Sequence, residues 1–131
     1  MHDTYLSRDR YGMYAGEHGG PGPTLMGSDT LLGNRVFNRE GEDLGTVREF
    51  MLDMATGQVT YAVLSFGGER LFAVPWSALA LDTGNRRFTL DMAKPALENA
   101  PGFDQTAWPW MADAAWSGDV HRFYGTVAEA G

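Results

Sequence analysis

The chain has no cysteine, which removes disulfides, thiolate nucleophiles and the usual structural zinc sites together. It is also short of cations: ten Lys and Arg stand against seventeen Asp and Glu, for a formal net charge of -7. Binding to a phosphate backbone depends on concentrated Lys and Arg, so nucleic acid is not expected as a direct partner. No uninterrupted apolar run approaches the roughly 20 residues that a membrane helix needs, and the N-terminus has no basic-then-apolar signal pattern. No basic amphipathic helix or lipidation motif points to direct membrane attachment either. A cytoplasmic protein is the expectation.

Catalytic and metal-binding patterns are equally scarce. His2, His18 and His121 are isolated, with no HExxH spacing, and read as ordinary surface residues. Glu40, Glu42 and Asp43 crowd one turn, but the twelve-residue EF-hand pattern is absent and they read as solvated. No serine lies in a G-x-S-x-G context, and no Gly-rich phosphate loop ends in Gly-Lys-Ser/Thr. The chain is therefore expected not to be an enzyme, and no cofactor or metal is expected.

What the sequence does contain is a sheet. Val59 to Trp76 holds two apolar runs joined by Gly67-Gly68, the strongest hairpin signal in the chain. Side chains alternate along a strand, so Thr60, Ala62, Leu64 and Phe66 share one face, and Val59, Tyr61, Val63 and Ser65 share the other. Both faces are largely apolar. A small barrel has one interior, so a helix, the chain's own tail or another subunit must cover the face that carries Tyr61 and Val63.

Taken in order, residues 1–28 are rich in Gly, Tyr and polar residues and end in a Gly-Pro run, which reads as a flexible arm; Tyr5, Tyr11 and Tyr14 interleave there with Arg8 and Arg10. Leu31 to Phe37 reads as a first strand. Leu44 to Met54 reads as a second, with a bulge near Arg48 and Glu49 where the apolar positions slip. Leu71 to Val74 closes at Pro75, Ser77 to Leu79 suggests one helical turn, and Leu81-Asp82 with Arg87 to Asp91 suggests a last hairpin. Close, regularly spaced strands of this kind predict a mainly β fold, a small antiparallel barrel over residues 29–98. Pro95 to Asn99 reads as a short helix.

Residues 99–131 form an irregular, aromatic-rich tail. Phe103, Trp108, Trp110, Trp116, Phe123 and Tyr124 are six of the chain's sixteen aromatic residues. So little aliphatic material accompanies them that the segment cannot make its own core, and its rings must wrap the barrel or anchor a second subunit. Tyr61, Val63 and Trp76, together with those six, are the candidate interface residues. A homodimer or higher oligomer is the expected assembly, with Trp108 and Trp110 the best anchors.

The ordered pattern Gly41-Glu42-Asp43-Leu44-Gly45, Asp53 to Gly57, Val59 to Gly68, and Leu71-Phe72-Ala73-Val74-Pro75-Trp76 resembles the PRC-barrel domain. The resemblance covers roughly residues 29–98. That family is named for the photosynthetic reaction centre H subunit and includes the C-terminal domain of the ribosome maturation factor RimM. Many relatives place a longer Gly-rich loop after the Gly-Gly pair, where this chain has only Glu69 and Arg70 before the next strand. The tail resembles that of stand-alone bacterial members. The resemblance implies a non-catalytic interaction or assembly module with a protein partner; the alternative it implies is a ribosome- or RNA-processing-associated factor.

Overall fold

The computed structural model describes residues 25–67 and 70–126. Residues 1–24 of the predicted N-terminal arm, with its tyrosines and arginines, and Gly68 and Glu69 of the hairpin turn lie outside them. Seven strands of the described residues form one sheet: β1 (Arg35–Phe37), β2 (Asp43–Leu52), β3 (Val59–Ser65), β4 (Arg70–Pro75), β5 (Leu79–Asp82), β6 (Arg87–Leu90) and β7 (Phe103–Asp104), in the spatial order β5-β6-β1-β2-β3-β4-β7. Among the described residues three helices accompany them: α1 (Ser28–Leu31), α2 (Lys94–Glu98) and α3 (Ala114–Tyr124), with a 3-10 turn at Trp76–Ala78.

Strand β2 shows how the sequence sets the curvature. Leu44, Val47 and Phe50 all reach the same core although they are spaced by three, which the period of two in a regular strand would forbid. Two irregularities reconcile the spacing. The β1–β2 register skips between Val36 and Phe37, opposite Gly45 and Asp43, and the β2–β3 register skips between Val47 and Glu49, leaving Arg48 as the extra residue. Gly45 makes the first possible. Its φ is 115°, and a Cβ there would stand 2.2 Å from the carbonyl oxygen of Ser65.

The curved sheet encloses one interior. Val36, Leu44, Ala62, Leu64, Phe72, Val74, Phe88 and Leu90 meet there, with Leu97 of α2 closing the end. Trp76 belongs to this interior as well, edge-on to Phe50 at 5.7 Å and to Phe88 at 5.9 Å between ring centroids. The hairpin from β3 to β4 pairs in register from Tyr61–Pro75 to Ser65–Leu71, as its alternation predicts.

Three features differ from the sequence expectation. The sheet is not wholly antiparallel, because β1 lies parallel to β6 (Val36 beside Phe88), and no pairing among the described residues joins β5 to β4 or β7 to close the ring. The first strand is shorter than expected: Ser28–Leu31 is a helical turn whose Leu31 packs with Leu32 on the core, and β1 starts at Arg35. The tail is not irregular throughout, since Ala114–Tyr124 is an α-helix.

Candidate functional site

Helix α3 has its boundaries written in its ends. The Asp113 carboxylate accepts a hydrogen bond from the Trp116 N–H at 3.0 Å, and Gly125 takes the left-handed conformation (φ 70°) that lets the Thr126 N–H reach back to the His121 carbonyl at 2.9 Å. His121 and Arg122 in the last turn suit the negative end of the helix dipole. Spacing then decides the face. Trp116, Val120 and Tyr124 recur every four residues and lie on Tyr61 and Ala73, the outer side of β3 and β4, with Met51, Phe103 and Met111 around them.

Tyr61 pins this contact. Its ring is 5.4 Å from Trp116 and 5.7 Å from His121, and its hydroxyl shares a 2.8 Å hydrogen bond with the Ser117 hydroxyl. The face that needed a cover is thus covered by the chain's own tail. His121, expected at the surface, is buried, with Nδ1 2.7 Å from the Thr126 hydroxyl.

Beside α3 the cover is incomplete. The end of β2 and the turn after it meet the segment before α3 across an open groove of about 740 Å³, lined by Met51, Leu52, Met54, Tyr61, Pro109, Trp110 and Met111 among others. Leu52, Met54 and Trp110 stand out on its rim, 51%, 87% and 75% exposed. Its lining has no Lys or Arg; Asp53, Tyr61 and His121 are its ionisable residues. A smaller cleft of about 360 Å³ adjoins it, bordered by Gln58, Trp76 and Ser77 and sharing Asp53, Thr60 and His121.

Asp53, Tyr61, Ser117 and His121 in the groove are occupied with holding the fold. Asp53 accepts from the Ala55 N–H at 2.8 Å, and Ser117 and His121 have the partners given above. Chemically, the groove offers thioether sulfur and aromatic and aliphatic surface. That combination suits docking of apolar side chains.

A profile of the PRC-barrel domain matches residues 23–96, more than half of the chain. The chain belongs to the PRC-barrel domain family. Comparison with curated proteins gave no match.

Within this PRC-barrel protein the candidate interface residues separate into three groups. Tyr61 and Val63, 2% and 0% exposed, are sealed beneath their own chain, so neither presents surface to a second molecule in this arrangement. Phe103, Trp116 and Tyr124 help to form the cover, and Trp76 lies with the interior of the PRC barrel. Trp108, Trp110 and Phe123 keep open faces. Of these, Trp108 is tied down, its Nε1–H donating to the Gln105 carbonyl at 2.9 Å and its ring 5.2 Å from Phe103, while Phe123 stacks edge-on against Tyr124 at 5.1 Å. Trp110 is the most exposed of them.

Sequence reasoning misses Leu52 and Met54 as surface features. The signal was present in Met51-Leu52-Asp53-Met54, three apolar residues entering a turn, where a regular hairpin end would be polar. The acidic turn at Glu40, Glu42 and Asp43 turns out to be structural: Asp43 bonds Arg35 at 2.6 Å and the Gly45 N–H at 2.8 Å, and Glu42 accepts from Asn38 at 2.8 Å. Among the described residues no three His, Cys, Asp or Glu are grouped to hold a metal ion, and no helix is long and apolar enough to cross a membrane.

Proposed function

We propose that this PRC-barrel protein is a non-catalytic, cytoplasmic interaction module that docks protein partners, a second copy of itself first, in the groove between the β2–β3 turn and Trp110. One observation carries the reading. The tail packs on Tyr61 and Ala73 of the outer apolar face, yet leaves Leu52, Met54 and Trp110 standing around an open hollow instead of folding them in. An exposed tryptophan beside methionines is the composition of a protein-docking surface, since Trp anchors interfaces and Met adapts to varied shapes. Family membership supports the same class of role, although fold kinship alone names no partner. The ribosome- or RNA-linked alternative gains nothing from a groove without Lys or Arg on an acidic chain.

The test is the mass in solution. Light scattering at micromolar concentration should give at least twice 14.4 kDa for the native chain and a lower average mass for Trp110→Ala with Met54→Ala. A native chain that stays monomeric across the micromolar range, or a dimer indifferent to both substitutions, would remove self-association through the groove.

A further inference from the structure

The cleft at Trp76 is polar where the groove it adjoins is apolar. We propose that it holds an arginine side chain of a partner protein, on an extended segment whose large apolar residue, two positions away, fills the groove beside Trp110. The inference rests on the groove being a docking surface and names the chemistry of a partner beyond a second copy of this chain.

The cleft of about 360 Å³ carries unspent polar groups. It is lined by Gln58 with its side-chain amide, Thr60 and Ser77 with their hydroxyls and Trp76 with its indole N–H, and none of these groups has a hydrogen-bond partner among the described residues. Asp53 adds a carboxylate that the turn holds in place. Its N–H donates to the Gln58 carbonyl at 2.8 Å and its Oδ1 accepts from the Ala55 N–H at 2.8 Å, which leaves Oδ2 without a partner among the described residues. Trp76 is just as fixed, with Phe50 and Phe88 edge-on to its ring at 5.7 and 5.9 Å.

Charge and shape select the occupant. No Lys or Arg lines either hollow, Asp53 lines both, and the chain carries -7, so the local field favours a cation. A guanidinium is a planar fork of N–H donors that also stacks on aromatic rings, and the oxygens of Asp53, Gln58, Thr60 and Ser77 beside an indole answer both properties. A second copy answers the apolar groove but not this charge, because it carries the same -7 and its Arg35, Arg39, Arg87 and Arg122 already face carboxylates. Asp53, Thr60 and His121 line both hollows, so one segment can enter the two. Side chains two residues apart on an extended segment share a face about 7 Å apart, which sets the spacing between arginine and apolar residue.

The probe is a dye-labelled peptide, Gly-Leu-Ser-Arg-Ser-Leu-Gly, with leucine two positions from arginine on either side so that chain direction does not matter. Its control carries citrulline in place of arginine, which keeps the shape and removes the charge. Fluorescence anisotropy with the full-length protein should show the arginine peptide binding at least tenfold more tightly. Asp53→Asn keeps an oxygen for the Ala55 N–H and loses the charge, so it should erase that preference, while Glu98→Gln, at an exposed carboxylate lining neither hollow, should leave it intact. Gln58→Ala with Ser77→Ala, both at exposed positions, should cut the preference by about threefold. Trp110→Ala with Met54→Ala should weaken both peptides alike. Equal binding of the two peptides, a preference that survives Asp53→Asn, or one that Glu98→Gln also erases would overturn the proposal, as would free arginine competing as well as the peptide does. An arginine peptide that fails to bind beside a Trp110-dependent dimer would leave the second copy as the occupant and sink the cleft while the groove stands. Binding that needs Asp53 yet ignores Trp110 and Met54 would overturn the two-part site together with the docking groove.

Discussion

Val120→Ala probes whether α3 is seated on the sheet as tightly as the geometry requires. Val120 is fully buried against Tyr61 and Ala73, ringed by Met51, Phe103, Met111 and Trp116. Truncation removes two methyl groups from that contact, and at about 0.8 kcal/mol per buried carbon the transfer loss is about 1.6 kcal/mol. The hollow left behind adds to the loss because neighbours relax only partly. Alanine's higher helix propensity returns about 0.5 kcal/mol. The expected net loss is about 1.5–2 kcal/mol, a fall in melting midpoint of roughly 5–10 °C. Urea titration followed by circular dichroism and by tryptophan fluorescence measures it, with Asp119→Ala as control. Asp119 sits on the same helix but faces solvent, its 3.2 Å contact with Arg122 is exposed, and its loss should stay within about 0.5 kcal/mol. If Val120→Ala behaves like the control, α3 does not hold the outer face of β3 and β4, and both the cover and the groove beside it are wrong.

Three further outcomes follow from the same structure. Gly45→Ala should destabilise by about 3 kcal/mol or more and lower the yield of folded protein, because a Cβ would strike the Ser65 carbonyl from a backbone with positive φ; a melting curve close to native would refute the packing of β2 on β3. Tyr124→Phe should leave stability unchanged or raise it by up to about 1 kcal/mol. The Tyr124 hydroxyl is buried without a hydrogen-bond partner among the described residues, and burial raises it above the usual phenol range, so a clear loss would reveal a partner for it. Acid should weaken the fold: the Asn85 side chain, bonded at 2.8 Å, together with the Asn85 N–H and Arg87, holds the Asp82 carboxyl below its ordinary value against the opposing effect of burial. The folded-state value lies under the unfolded one, so this contribution is intact above the ordinary carboxylate range and fades as pH falls below it. Comparing urea midpoints at pH 5 and pH 3 for native and Asp82→Ala chains should show a shallower drop in the variant, and identical drops would count against the assignment.

How much of this was legible beforehand depended on how local the determining interactions are. The β3–β4 hairpin follows from alternation and a Gly turn, and the bulge at Arg48 from a slip in apolar spacing, because each is fixed within about ten residues. The requirement for a cover on Tyr61 and Val63 was legible for the same reason. The parallel pairing of Val36 with Phe88 was not, since nothing local distinguishes it from an antiparallel edge. Helix α3 was hidden by Ser117, Gly118 and Val120, which lower helix propensity in mid-segment, although Asp113 and Gly125 marked both ends. The groove was out of reach for a simpler reason: residues 51–54 and 109–111 meet only after the sheet has curved and the tail has returned across it.

The parallel neighbourhood of β1 and β6 has a consequence for the order of events at synthesis. Strand β1 is among the first to be made, but its second neighbour emerges some fifty positions later, and among the described residues the β5–β6 hairpin is paired to the rest of the sheet through Val36 and Phe37 alone. A nascent chain therefore cannot complete the cluster around Val36 and Leu44 until Phe88 arrives, and slow translation over that interval prolongs the window in which the cluster stays partly open to chaperones.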